Sequence, residues 1–378
     1  MDRKDRIRGC MIGGAAGDAL GYPVEFLSES RIFSKYGQGG IENYEPDPVS
    51  GRALISDDTQ MALFTANGLL LGLYRAVRDG AAEYPRKYVL LAYGDWLLTQ
   101  RQRYTALPAT ADGAGKRYSW LMDIPELYSA RAPGNTCLSA LERKDGYSVQ
   151  DLDYVKAQIN GSKGCGGIMR TAPVALIYGD KQAEITDMEA AQIAALTHGH
   201  PLGFLPSAVL NHMLSRIVYG DRDTDLKTIV IESRDAVCKQ FAKTAYIDEL
   251  RRIIDRAVAL SENDDCDLEN IRRLGQGWVA EETLAIAVYC SLRHEYEFSE
   301  GIIAAVNHSG DSDSTGAVTG NILGAICGYE AIDEKWKRSL ELRDVILEMA
   351  DDLNNIHSVD GDFPDPEWVR KYERMRSK

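Results

Sequence analysis

Glycines recur at every fourth residue in two distant parts of this 378-residue sequence. The two sets are Gly9, Gly13, Gly17 and Gly21, and Gly316, Gly320, Gly324 and Gly328. A spacing of four residues places the members of each set along one face of an α-helix. Glycine costs about 1 kcal/mol relative to alanine inside a helix, so a repeated set needs an offsetting gain, which close backbone packing supplies. The pattern therefore predicts two central helices packed tightly against each other.

Glycine spacing of this kind is also found between transmembrane helices. Asp18 and Asn321 lie within the two sets, and no uninterrupted apolar run reaches the length that spans a bilayer, so we expect no membrane segment. The net charge of −14 argues against duplex nucleic acid or an anionic membrane as a partner, because both require a basic surface. The seven cysteines form no CxxC pair and no secretory signal is evident, which is typical of a reduced, cytoplasmic protein.

Apolar residues recur with helical periodicity along most of the chain, whereas convincing alternating strands are absent. Besides the first glycine-rich helix, the predicted helices cover residues 59–78, 86–101, 186–198, 204–219, 226–242, 246–261, 278–293, 297–307, 314–330 and 339–354. Long irregular regions at 36–55, 103–135 and 160–170 are candidates for substrate-binding loops. No composition shift marks a linker, so we expect residues 1–378 to form a single all-α domain. The charged tail after Phe363 is predicted to be a solvated surface end.

Two short acidic clusters stand immediately before apolar runs. They are Ser56-Asp57-Asp58-Thr59 and Asp311-Ser312-Asp313-Ser314-Thr315. Serine and aspartate in such places also cap helix N-termini. A cap needs only one acceptor, however, and paired carboxylates such as Asp57 with Asp58 repel each other unless a cation offsets their charge. Because these side chains offer only hard oxygen ligands, the two clusters together predict a hard divalent cation such as Mg²⁺ or Mn²⁺ rather than zinc or copper.

Other stretches offer residues suited to catalysis or ligand binding. Glu25 follows the first glycine-rich helix after a proline-broken turn, and we weigh a general acid or base role there against an ordinary surface role. The glycine-rich loop at 160–170 is compatible with a phosphate cradle of backbone N–H groups, although it matches neither Walker A nor GxGxxG and an ordinary flexible loop fits equally well. His198 is predicted to have a structural or ligand-contacting role. Cys165 has no histidine beside it in sequence, which disfavours thiol catalysis.

Taken in order, these motifs resemble the ADP-ribosylglycohydrolase family, which includes dinitrogenase reductase-activating glycohydrolase and the ADP-ribosyl-arginine and ADP-ribosyl-serine hydrolases. The resemblance covers nearly the whole chain, and although each motif is weak alone, the ordered set is specific. It runs from Gly17-Asp18 to Glu25, through Ser56-Asp57-Asp58-Thr59, the loop ending in Met169-Arg170 and Thr197-His198, to Gly310-Asp311-Ser312-Asp313-Ser314. It implies a compact, orthogonal all-α helical bundle with two divalent cations, Mg²⁺ or Mn²⁺, at the base of an ADP-ribose cleft.

The resemblance also implies roles for individual residues. The positions that match the family's metal ligands are Ser56, Asp57, Asp58, Asp311, Asp313 and Ser314. Glu25 matches a mobile acidic residue near the substrate ribose, and the candidates for orienting or deprotonating the attacking water are Glu25, Asp311 and Asp313. The loop that holds the diphosphate and distal ribose is matched by Ser162, Lys163, Gly164, Cys165 and Gly166, and His198 matches a substrate-contacting histidine. Serine stands for the family's frequent threonine at 56 and 314, and cysteine stands for the asparagine of several relatives at 165.

The sequence therefore predicts a monomeric, metal-dependent hydrolase that releases ADP-ribose from a modified protein side chain, with arginine as the favoured linkage. One alternative is a protein that binds ADP-ribose without cleaving it, including an immunity-type protein that sequesters a toxin. Another is a metal-dependent hydrolase of a free ADP-ribosyl compound or nucleotide. The presence of every carboxylate that the chemistry requires favours an enzyme over a binder.

Overall fold

The computed structural model describes residues 1–79, 84–105, 117–143, 149–179, 183–221, 223–356 and 366–373. Within these residues the chain is all-α, as predicted, and its only β-type pairings are isolated bridges that join Ala53 to Leu340 and Gly164 to Val279. The helices are α1 (Arg3–Gly21), α2 (Glu29–Tyr36), α3 (Asp57–Asp79), α4 (Pro85–Arg101), α5 (Asn135–Glu142), α6 (Tyr154–Ala157), α7 (Ala172–Tyr178), α8 (Ala183–Ala195), α9 (Pro201–Tyr219), α10 (Leu226–Gln240), α11 (Ile247–Ser261), α12 (Asp267–Leu274), α13 (Ala280–Arg293), α14 (Phe298–Val306), α15 (Ser312–Cys327), α16 (Glu334–Lys337), α17 (Arg343–Asn355) and α18 (Pro366–Glu373). Short 3₁₀ turns occupy Trp120–Asp123, Pro125–Tyr128, Gln150–Leu152 and Cys165–Arg170.

The predicted helices match observed helices to within about one turn, since one turn is 3.6 residues. The helices that periodicity missed each have eight residues or fewer, which is too short for the pattern to show. One third of the predicted loop at 103–135, residues 106–116, lies outside the described residues. No helix in the described parts of the chain combines the length and the apolarity that a bilayer crossing demands.

The C-terminal tail corrects one prediction. We expected a solvated end after Phe363, but α18 packs against the core through Trp368 and Tyr372, both of which are buried. The hydroxyl of Tyr372 donates a hydrogen bond of 2.9 Å to the Asp352 carboxylate in α17. The sequence did not predict this contact, because α18 has only two turns and half of its residues are charged. Its few apolar residues therefore form no recognisable helical pattern.

The closest helix pair is formed by α1 and α15, which run antiparallel. A Cβ atom added to Gly9, Gly13 or Gly17 would overlap the carbonyl oxygen of a glycine in α15, and the partners in that order are Gly324, Gly320 and Gly316. We call this contact the glycine seam. Asn321 strengthens it by donating a 2.9 Å hydrogen bond from Nδ2 to the carbonyl oxygen of Cys10. Close backbone approach is therefore the gain that offsets the helix cost of the glycines.

The last glycine of the second set does not belong to the helix. The predicted helix 314–330 ends at Cys327, and Gly328 is its C-cap with a φ of +79°. Glycine adopts this left-handed conformation without the steric cost that other residues incur, so it is a common helix terminator.

Candidate metal and substrate site

The glycine seam determines where the candidate catalytic side chains lie. Because α1 and α15 run antiparallel, Gly21 at the end of α1 packs against Ser312 at the start of α15, where a Cβ would overlap the Ser312 carbonyl. The chain then turns, with the N–H of Val24 donating to the Gly21 carbonyl at 2.9 Å and the N–H of Leu27 to the Val24 carbonyl at 2.8 Å. These turns carry Glu25 to the N-terminus of α15.

Glu25, Asp311 and Asp313 form what we call the carboxylate cluster. Each offers a carboxylate oxygen, and these oxygens all lie within 4.8 Å of one another. All three residues are buried, and Oε2 of Glu25 has no hydrogen-bond partner. A buried acceptor without a partner costs folding free energy, so this oxygen is positioned for something that the chain itself does not supply.

The first acidic motif meets the second one here. Ser314 in α15 donates a 2.8 Å hydrogen bond from its hydroxyl to Oδ2 of Asp58 at the start of α3. The hydroxyl of Ser56 accepts a 3.2 Å hydrogen bond from the Asp58 N–H, and Asp57 accepts one of 3.3 Å from the N–H of Gly134. The structure thus brings together the N-termini of α3 and α15, as the metal hypothesis requires.

Burial raises the pKa of every carboxyl group at this place, and neighbouring like charges add to the shift at most of them. Burial and then the charge of Asp313 raise the pKa of Glu25 to about 10. Burial is also the first cause of the raised pKa values of Asp57, Asp58 and Asp313, followed by the charge of a neighbouring aspartate. Burial raises the pKa of Asp311 as well, although hydrogen bonds oppose the shift.

Asp18 is a residue of the site that sequence reasoning did not assign. Both of its carboxylate oxygens accept from the Ser56 N–H, at 3.0 and 3.1 Å, and Oδ2 also accepts from the N–H and the hydroxyl of Thr59. Asp18 thus caps α3 from the neighbouring helix and orients Asp57 and Asp58. Burial and then the charge of Asp313 raise its pKa to about 7. The sequence signal that could have identified Asp18 was its position next to Gly17, one of the regularly spaced glycines.

The predicted phosphate loop lies directly beside the carboxylate cluster. The thiol of Cys165 donates to Oδ2 of Asp311 at 2.7 Å, and the Cys165 N–H donates to the Trp278 carbonyl at 3.2 Å. The Ser162 hydroxyl lies 3.4 Å from the Thr136 hydroxyl, and Lys163 forms an ion pair with Glu281. Since the Cys165 N–H is already bonded within the protein, it is not a free donor for a ligand phosphate.

His198 faces the same loop from the turn after α8. A Cβ added to Gly164 or Gly166 would lie 3.2 Å from its Nε2. Its Nδ1 is 2.8 Å from the Thr197 hydroxyl, which accepts a 2.6 Å hydrogen bond from Arg170. Burial and then the charge of Arg170 lower the pKa of His198 to about 3, so the ring is neutral at pH 7. This network favours a proton on Nε2, where a ligand oxygen can accept it.

An aromatic pair stands at the rim of the cluster. The rings of Phe26 and Trp278 are stacked with centroids 5.9 Å apart and planes 22° apart. Trp278 belongs to a loop that packs on α15, since the Gln276 carbonyl accepts from the Asp311 N–H at 2.8 Å. Glu282 holds the loop by accepting from the N–H groups of Gln276 and Gly277, at 2.9 and 3.2 Å. We call Phe26 and Trp278 the rim pair.

The donor set fits a hard divalent cation. The side chains of Glu25 and of the two acidic motifs offer carboxylate or hydroxyl oxygens, the ligands that Mg²⁺ and Mn²⁺ prefer. Among the ion pairs of the described residues, none joins these carboxylates to a lysine or an arginine. The residues that would hold the cation are those of the two acidic motifs, with Glu25 Oε2 as an unpaired oxygen beside them.

Comparison with known proteins gives a consistent result. The sequence model described as ADP-ribosylglycohydrolase matches residues 1–362. The chain is 24% identical to ADP-ribosyl-[dinitrogen reductase] glycohydrolase of Rhodospirillum rubrum, covering 90% of this chain and 91% of that protein. It is 25% identical to ADP-ribosylhydrolase ARH3 of Bos taurus, covering 89% of this chain and 88% of that protein. A solved ADP-ribosylglycohydrolase-related protein complex is similar with a TM-score of 0.61 and 25% identity, covering 94% of this chain and 99% of the other.

Proposed function

Because the chain belongs to the ADP-ribosylglycohydrolase family, we propose that it is a divalent-cation-dependent hydrolase that releases ADP-ribose from a modified protein side chain, and that the modified side chain is arginine. The observation that carries the proposal is the carboxylate cluster. Its oxygens converge within 4.8 Å and include a buried oxygen without a partner. A protein that only bound ADP-ribose would have no use for such a concentration of buried negative charge.

The metal residues are proposed to be Ser56, Asp57, Asp58, Asp311, Asp313 and Ser314. A divalent cation held by these residues would supply Lewis-acid chemistry for the ribose hydroxyls and for the water. Asp18 fixes the N-terminus of α3, and the N–H of Gly134 fixes the Asp57 carboxylate. Both contacts hold the proposed ligands of α3 in place. Titration of the protein with Mg²⁺ and with Mn²⁺ measures which cation it prefers.

Glu25 is proposed to orient the attacking water. Asp311 accepts hydrogen bonds from Ser314 and Cys165, whereas Oε2 of Glu25 has no partner within the protein and is available for a hydrogen bond with the water. In the reaction the water oxygen bonds to the anomeric carbon while the glycosidic C–N bond breaks. The leaving guanidine takes up the proton that the water loses, and nearby carboxylates stabilise the positive charge that develops on the sugar.

The loop from Ser162 to Gly166 and His198 are proposed to hold the diphosphate and the distal ribose. Neutral His198 donates from Nε2, while the Ser162 hydroxyl can accept or donate. Lys163 belongs to this loop, but its ion pair with Glu281 partly neutralises its charge. These contacts retain ADP-ribose without taking part in bond cleavage.

The direct test measures release of free ADP-ribose from arginine-ADP-ribosylated protein with Mg²⁺ or Mn²⁺, with EDTA and a serine-linked substrate alongside. We expect cation-dependent release from the arginine linkage. Asp57→Ala and Asp311→Ala should abolish turnover, whereas Asp264→Ala, at an exposed aspartate, should not change it. Tight ADP-ribose binding without release would indicate a binder, and release of phosphate instead of ADP-ribose would indicate a nucleotide hydrolase.

A further inference from the structure

The rim pair is a large aromatic surface in contact with solvent. Phe26 is 71% exposed and Trp278 is 39% exposed. Their rings stack on each other. Single exposed aromatic residues are ordinary, but stacked exposed rings next to a buried polar site mark a place where a ligand docks.

Both rings are tied closely to the reacting end of the site. Phe26 follows Glu25 directly in sequence, and the turns at 21–27 hold both. Trp278 follows Gly277, where a Cβ would lie 3.3 Å from the Asp311 carbonyl oxygen and 3.4 Å from the Asp311 Cβ. The pair therefore borders the carboxylate cluster, where the anomeric carbon is proposed to sit.

The cation–ring contacts of the described residues lie at other rings, such as Arg170 over Tyr93 and Lys335 over Trp336. The electron-rich faces of the rim pair are next to buried carboxylates, so the local field favours a positively charged, planar group. Guanidinium is planar, weakly hydrated and stacks on aromatic faces better than other cationic side chains.

We infer that the rim pair is the docking platform for the leaving group, and that it accepts the guanidinium of an ADP-ribosylated arginine. This inference rests on the proposed function. The guanidinium is bonded directly to the anomeric carbon, so a platform one residue from Glu25 meets it as soon as the ribose is seated. A serine linkage presents an oxygen and a methylene at the same place, which carry neither a charge nor a flat face.

We expect the rim pair to favour the arginine-linked substrate over the serine-linked one. Stacking of a cation on an aromatic face predicts that removal of one ring lowers kcat/KM for the arginine-linked substrate by roughly 3- to 30-fold. The effect should appear mainly in KM, because the stacking forms when the substrate binds. The serine-linked substrate and free ADP-ribose should lose little, since neither reaches the rings with a cation.

The variants are Trp278→Ala, Phe26→Ala and Trp278→Phe, the last of which keeps a flat ring. Tyr296→Ala is the matched control, because Tyr296 is 70% exposed and lies beyond the far end of α13 from Trp278. Each protein is assayed on arginine-linked and serine-linked substrates. Binding of free ADP-ribose and of agmatine, a guanidinium probe, is measured in parallel by calorimetry in the presence of Mg²⁺.

We expect the alanine variants to lose arginine-linked turnover and agmatine binding while ADP-ribose affinity stays unchanged, with Trp278→Phe close to the wild-type protein. Equal losses on both substrates, or a loss of ADP-ribose affinity, would overturn the inference because the rings would then hold the ADP-ribose moiety. Unchanged preference and agmatine binding would also overturn it. If the wild-type protein releases ADP-ribose from neither linkage, the proposed function itself fails, and the inference fails with it. If the wild-type protein is active but the variants do not behave as expected, only the inference fails.

Discussion

The carboxylate cluster and a second polar cluster, the network around Asp267, differ in whether their members satisfy one another. In the network, Asp267 accepts a 2.6 Å hydrogen bond from Tyr289 and lies 2.9 Å from Nε2 of His294, while Asn270 donates to the Tyr289 hydroxyl at 3.1 Å. Opposite charges and donors are matched. In the carboxylate cluster like charges converge and Glu25 Oε2 is unpaired.

The difference is visible in the pKa directions. Burial alone would raise the pKa of Asp267, but the hydrogen bonds from His294 and Tyr289 outweigh it and the pKa is lowered. For Asp313 burial is reinforced by the charge of Asp311, and the pKa is raised well above its usual value. A complete network stabilises the fold, whereas an incomplete one stores unfavourable free energy that a ligand can release. The comparison thus separates a structural cluster from the one proposed to bind the cation.

The largest expected effect comes from the glycine seam, which brings the end of α1 to the start of α15 at the carboxylate cluster. Gly17→Ala would force the backbone of α1 away from Gly316, and overpacking against backbone should lower the free energy of unfolding by about 3 kcal/mol. Thermal unfolding in EDTA measures the change. Gly161→Ala is the control, because a Cβ there meets nothing within 4 Å. Equal stability of the two variants would contradict the close packing.

The next effect is stabilisation by the cation. Mg²⁺ at one hundred times its Kd should raise the free energy of unfolding by about 2.7 kcal/mol, because it binds only the folded cluster. Asp313→Asn should lose most of this gain, whereas Asp267→Asn should retain it. Unfolding midpoints with Mg²⁺ and with EDTA provide the measurement, and an equal gain in Asp313→Asn would exclude Asp313 as a ligand.

Without a cation, Asp267→Asn and Asp313→Asn should change the free energy of unfolding in opposite directions. Asp267→Asn leaves His294 and Tyr289 with a weaker partner and should cost about 2 kcal/mol. Asp313→Asn removes a carboxyl group whose charged form is disfavoured by burial and by the charge of Asp311, and should therefore stabilise the metal-free protein at pH 7. Urea unfolding in EDTA compares them directly. Destabilisation by both would mean that the carboxylate cluster is internally satisfied after all.

The smallest effect is the pH dependence of the network. Burial lowers the pKa of His294, but the hydrogen bond to Asp267 and the nearby negative charges of Asp267, Glu297 and Glu300 together outweigh it and raise the pKa above its ordinary 6.5. The contribution of His294 is therefore full below pH 6.5 and is lost as pH rises through the raised value. The lowered pKa of Asp267 means that its contribution is present above 3.8 and lost as pH falls through the lowered value. Asp267→Asn should therefore cost more at pH 5.5 than at pH 9, by about 1 kcal/mol or less after solvent screening. An equal cost at both pH values would show that the charge on His294 is not involved.

The sequence predicted those parts of the molecule that depend on local periodicity. The glycine spacing indicated the α1–α15 pair, and the two acidic motifs indicated that α3 and α15 begin at one place. The capping of α3 by Asp18 was not predictable, because it joins residues that have no shared pattern. Phe26 and Trp278 are likewise separated by most of the chain, so only the fold could show that their rings stack. The burial of Trp368 was missed because charged neighbours mask the short helix that carries it.

The glycine seam also has a consequence for the order in which the protein acquires its structure during synthesis. Asn321 and the Cys10 carbonyl that it contacts are 311 residues apart, so α1 leaves the ribosome long before its partner exists. Contacts of such long sequence separation form late, because the loop-closure entropy must be overcome first. Until α15 emerges, the glycine face of α1 is exposed and has no neighbour of the right shape. Nascent chains that stop before α15 should therefore depend on chaperones, and the carboxylate cluster can assemble only after α15 has been synthesised.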